Sequence, residues 1–228
     1  MDSEVTLLVI DTCTERLIVG LRRTAASRQD RWTNLDSQGN HARDLLPAVE
    51  GLLEGKRPDV LGIATGPGSF TGVRIGLACA KGLVDGWGIP LVEVDNLSAM
   101  ADAYFRLVPT STAAVLPVID ARKQKFYGAL YHGGQTLLAP ADLTPKTWME
   151  RVTAAWSGRV VLSGYQGQLL AESLGSLPAL WTALPTRDWA PGLLDQLEAG
   201  WHRREFLAPD ASPRYLRLSE AEENLQRR

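Results

Sequence analysis

A chain of 228 residues with 45% hydrophobic residues can bury the core of one large domain or of two small ones. Its net charge of −2 argues against a general nucleic-acid surface, which carries a basic excess. Two cysteines, no signal-like start at MDSEV and no apolar run near the roughly 20 residues of a membrane span point to a reduced, cytoplasmic protein without membrane contact.

Residues 7–10 are a continuous apolar run, as in a strand covered on both faces. A polar turn leads to a second strand at 17–21, and a third is expected near 28–33. The stretch NHARDLLPAVEGLLEG spaces Ala42, Leu45, Leu46, Val49, Leu52 and Leu53 along one helical face, with a bend expected at Pro47. Strands follow at 60–64 and 91–94, with a glycine-rich helix between them, and a further helix starts at Asn96 or Ser98 and ends before Pro109. Beyond residue 134 the pattern loosens. Helices are expected at 146–155, 165–174 and 192–203, a strand at 160–163, and a charged tail over the last eleven residues.

The second half restarts like the first. Val118, Ile119 and Asp120 repeat Val9, Ile10 and Asp11, with Phe126 in the place of Leu17 and Leu130 in that of Leu21. A duplicated unit of strand, polar turn and returning strand accounts for the shared register. The division expected from it is 1–108 and 109–228.

The segment ATGPGSFTGVRIGLACAKG is the most informative in the chain. Gly66 and Gly68 permit a close main-chain approach, and Ser69 or Thr71 can cap the helix that follows. Such a helix start either binds an anion or simply packs a helix on its sheet, and the residues leave both readings open. It matches neither GxxxxGK[ST] nor a dinucleotide fingerprint.

At about 100° per residue, Gly72, Gly76, Cys79 and Leu83 fall together with Ala80 beside them, and Val73 and Leu77 lie on one flank. Arg74, Lys81 and Asp85 make only a narrow polar edge. One side is expected to meet the sheet and the small-residue side to meet another helix, from this chain or from a second protein. The second protein is preferred, and Gly76→Arg is then expected to leave the fold intact and abolish pairing.

Three scattered histidines, His41, His132 and His202, offer no metal pair at helical spacing, and no metal or cofactor is expected. Asp11 and Asp120 are read as turn caps at strand ends. Weak nucleotide or anion contact stays open for Asp11, Thr12, Thr14, Gly66, Gly68 and Ser69. Cys13 lacks an evident activating base, and Arg22–Arg23 and Arg203–Arg204 are short basic pairs expected to be solvated.

VIDTCTE, HARDLLP, GPGSFTGVRIGLACAKGL, IDARKQKFYGALY and PRYLR together resemble the bacterial TsaB (YeaZ) family, with Cys13 where serine is expected. The resemblance implies an α/β, duplicated actin/Hsp70-like (ASKHA, ribonuclease-H-like) fold of two sheet–helix subdomains. It implies a non-catalytic subunit that supports threonylcarbamoyl transfer to adenosine in tRNA, pairs with the catalytic paralogue TsaD and works with the ATPase TsaE. Such a chain would form a homodimer in isolation and meet tRNA only through the complex. Pairing would use Ala42, Leu45, Leu46, Val49, Gly72, Val73, Gly76, Leu77, Cys79, Ala80 and Leu83. The enzymatic alternative is an ATP-dependent kinase-like or hydrolytic activity in a cleft between the subdomains.

Overall fold

The computed structural model describes residues 4–24, 28–184 and 188–216. The expectation for the charged tail, 218–228, lies outside them, as does Arg217 of PRYLR.

In chain order the elements are β1 (Thr6–Asp11), β2 (Arg16–Arg23), β3 (Gln29–Asp36), α1 (His41–Leu53), β4 (Val60–Ala64), α2 (Phe70–Trp87), β5 (Leu91–Val94) and α3 (Asn96–Leu107). The sequence of types then repeats: β6 (Ala114–Asp120), β7 (Phe126–His132), β8 (Gln135–Leu143), α4 (Pro145–Ala155), β9 (Val160–Ser163), α5 (Gly167–Leu174), β10 (Trp181–Ala183) and α6 (Ala190–Arg203). The sheets run β3-β2-β1-β4-β5 and β8-β7-β6-β9-β10, so each half has the same strand order. In both, the first three strands are antiparallel neighbours and the last two join in parallel. The duplication read from the two VID stretches is therefore a duplication of whole topology.

Between Thr6 and Asp11, β1 is wholly apolar because both faces of its sheet are covered. Leu8 and Ile10 join Leu45, Val49, Leu52, Leu77 and Ala80 from α1 and α2 in one core. On the other face α6 packs across β1, β2 and β5. Its Leu193, Leu194 and Leu197 are fully buried, each worth about 2 kcal/mol of transfer free energy. In the second sheet, Leu116, Val118, Phe126 and Leu162 pack with Trp148, Val152 and Leu170 of α4 and α5.

Two expectations change. The anticipated cut at 108/109 made two uninterrupted halves, whereas the first compact unit runs to Ala99, inside α3, and takes the chain back over Asp188–Pro213. The reason is α6, which belongs to the first sheet. Arg22, expected in solvent, is fully buried and binds α6. Its guanidinium donates to both Asp30 oxygens at 2.8 Å and lies 2.8 Å from Asp195 and 2.7 Å from Glu198. Burial alone would raise the Asp30 carboxyl, yet the hydrogen bonds from Arg22 and Arg28 bring it below its ordinary value.

α1 continues through Pro47, and the strands β8 and β10 add to those foreseen. The edge of β5 is covered by the returning chain: Phe206 bridges to Val92, and the Leu207 N–H donates to the Leu91 carbonyl at 2.8 Å.

Candidate functional site

β4 delivers the chain to the glycine-rich loop, and Ser69 caps α2, its hydroxyl accepting from the Gly72 N–H at 3.3 Å. The turn after β1 lies directly on this helix start. Thr12 donates its hydroxyl proton to the Gly72 carbonyl at 2.8 Å, and the Ser69 N–H donates to the Cys13 carbonyl at 2.7 Å. The glycines make this approach possible. A Cβ on Gly68 would stand 2.1 Å from the Cys13 carbonyl oxygen, one on Gly72 2.2 Å from that of Thr12, and one on Gly76 2.1 Å from the Thr12 hydroxyl. Of the two readings left open, the packing role of the loop is thus directly visible.

The candidate anion-contact residues lie around this turn and loop, but Asp11, Thr12, Thr14 and Ser69 are hydrogen-bonded to Cys13, Trp189, Gly72 and Arg16. Asp11 is fully buried, accepting from the Cys13 N–H at 2.8 Å and from the Trp189 indole N–H at 2.7 Å. Burial raises its carboxyl above the ordinary value, against the lowering effect of these hydrogen bonds. Thr12 and Thr14 are buried, as is Gly66, whereas Gly68 is half-buried and Ser69 exposed. Thr14 accepts from the Arg16 N–H at 3.1 Å. Burial, then the Asp11 charge, pushes the Cys13 thiol well above its usual range, which disfavours the thiolate form. His41 is buried at the start of α1, its Nε2 3.4 Å from the Arg16 carbonyl oxygen. Among the described residues no three His, Cys, Asp or Glu side chains are grouped so as to hold a metal, and no helix is long and apolar enough to cross a membrane.

The expected pairing ridge divides. Gly72, Val73, Gly76, Leu77 and Ala80 are buried, as are Leu45 and Val49 on α1. Gly72 and Gly76 are sealed by Thr12, with Ile63 also close to Gly76, and so cannot meet another molecule. Ala42 and Leu46 are exposed, Leu46 at 46%, while Cys79 and Leu83 are half-buried. Next to Cys79 and Leu83 on α2 lies a second small-residue row: Ala78, Gly82 and Gly86, all exposed, with nothing within 4 Å of a Cβ added at either glycine. Its signal in the sequence was the i, i+4, i+8 spacing. Arg74 stacks over the Phe70 ring at 3.7 Å at one end of this face. Along the helix, Lys81 donates to the Pro209 and Ala211 carbonyls at 2.8 and 2.6 Å, fixing the returning chain beside α2.

Two sheets of one strand order, each half built as βββαβαβα, define the actin/Hsp70-like class with ribonuclease-H-like halves. Residues 36–147 match the family model described as TsaD: tRNA N6-adenosine threonylcarbamoyltransferase. The chain is 31% identical to the tRNA threonylcarbamoyladenosine biosynthesis protein TsaB of Escherichia coli over 205 residues, 78% of this chain and 84% of that one. With the TsaB protein of Haemophilus influenzae it shares 36% over 127 residues, 54% of this chain and 52% of the relative, about half its length. A solved Pseudomonas aeruginosa protein, described as similar to peptidase YEAZ, superposes with a TM-score of 0.76 at 30% identity, covering 93% of this chain and all of that one. The chain belongs to the TsaB (YeaZ) family.

Proposed function

We infer that this chain is a non-catalytic, cytoplasmic subunit of the machinery that makes threonylcarbamoyladenosine in tRNA, and that it pairs with TsaD and works with TsaE. The outer face of α1 and α2 carries the reading. There Ala78, Gly82 and Gly86 let another helix approach closely, and Leu46, Ala42, Cys79 and Leu83 provide the apolar margin. Leu45, Val49, Gly72, Val73, Gly76, Leu77 and Ala80 hold the two helices on the sheet, and Ala42, Leu46, Cys79 and Leu83 remain as contacts. The same face serves a homodimer when TsaD is absent. The non-catalytic part is supported by the packing of Thr12 and Cys13 into the glycine loop, where a kinase-like enzyme would need space for phosphates.

Reconstitution tests this. The purified chain alone forms no threonylcarbamoyladenosine on tRNA, and adding TsaD and TsaE with the threonylcarbamoyl precursors restores the product. Transfer by the isolated chain would contradict the reading.

A further inference from the structure

The turn between β6 and β7 is built unlike its counterpart after β1. Arg122, Lys123 and Gln124 have φ of 59°, 52° and 57°, the only run of consecutive left-handed non-glycine residues among those described. L-residues enter that region as single residues and at a cost, so three together need support from around them. Asp120 supplies some of it, accepting from the Arg122 N–H at 2.7 Å. The turn is closed by the Lys125 N–H to the Arg122 carbonyl at 3.1 Å and the Ala121 N–H to the Lys125 carbonyl at 3.0 Å.

The result is a tip that turns its positive charge outward. Arg122 pairs with Asp120 at 3.2 Å, and the side chains are 72% and 16% exposed. Lys125 lies 3.6 Å from Asp142, at 42% and 8%. Lys123 and Gln124 are exposed between them. In both pairs the acid is recessed and the base faces solvent. Since β6 and β8 are both antiparallel to β7, their C-terminal ends lie together. Phe126 pairs with Leu143 at the end of the ladder, which sets Lys125 beside Thr144, the cap of α4. Lys146 follows in the first turn of that helix, 3.9 Å from the more recessed but still exposed Glu150, and the helix's N-terminal dipole adds positive potential.

We propose that Arg122, Lys123, Lys125 and Lys146 contact the phosphate backbone of tRNA. The proposal rests on the reading above and identifies where this chain would touch the RNA. Arginine and lysine side chains facing solvent hold phosphates rather than read bases. The chain's overall negative charge makes the contact a local one that serves the assembled complex rather than the isolated protein.

The experiment follows binding of a fluorescent unmodified tRNA transcript to the chain–TsaD complex at several salt concentrations. Co-elution of the two proteins is measured separately. Lys123→Ala/Lys125→Ala/Lys146→Ala is expected to keep co-elution, weaken tRNA binding about tenfold and lower the salt slope by about 2. Gln124→Lys, which removes no contact, is expected to tighten binding and raise the slope by about 0.8. Wild-type affinity and slope in both variants would overturn the proposal, as would displacement of the tRNA by an equal concentration of ATP. If the triple variant loses co-elution, Gln124→Lys decides. A wild-type chain that fails to co-elute with TsaD defeats the pairing itself, whereas a co-eluting complex that ignores tRNA defeats only this contact.

Discussion

The two turns that follow β1 and β6 hold equivalent places in the two halves and differ in opposite directions. Each opens with an aspartate that accepts the N–H two residues on, at 2.8 Å for Asp11 and 2.7 Å for Asp120. After that shared cap the first turn is buried and nearly uncharged, pressed into the glycines of α2. The second is exposed, basic and left-handed. Duplication thus preserved the local turn chemistry, while the surroundings decided whether the turn became a packing element or a surface.

The largest effect that could break this comparison comes from the first turn's side. Gly76→Arg pushes a side chain into Thr12 and is expected to cost more than about 3 kcal/mol, leaving little folded protein in a urea titration. A soluble variant with wild-type stability would mean that Thr12 is not held there. A smaller difference separates the two aspartates. Asp11→Ala leaves the buried Trp189 indole N–H without its acceptor and should cost about 2 kcal/mol. Asp120→Ala removes a cap beside an exposed arginine, and its cost should stay near about 0.5 kcal/mol. Equal losses in thermal or urea unfolding would erase the proposed distinction between the turns.

Much of this fold could be read from residue patterns. The runs at 60–64, 91–94 and 160–163 appear as β4, β5 and β9, because short apolar runs between turn residues have few alternatives. β8 was not foreseen, since a half-exposed edge strand carrying Pro140 and Asp142 lacks apolar alternation. β10 has three residues, too few to show a period. The site was only partly legible. The small-residue helix was found, but periodicity alone could not say which of its two rows faced inward. That depended on Thr12, 60 residues before Gly72 in the chain. Arg22 was missed for a similar reason, as its carboxylate partners Asp195 and Glu198 lie on α6, far along the chain. The Asp11 contact with Trp189 spans 178 residues and left no local trace.

The open row on α2 now allows the pairing face to be tested without disturbing the fold. Nothing lies within 4 Å of a side chain begun at Gly82, so Gly82→Arg should unfold as the wild type does, within about 0.5 kcal/mol. The direct measurement is the mass in solution of each protein mixed with TsaD. The account predicts a complex containing both chains for the wild type and separate species for Gly82→Arg. A folded Gly82→Arg that still forms the wild-type complex would contradict it.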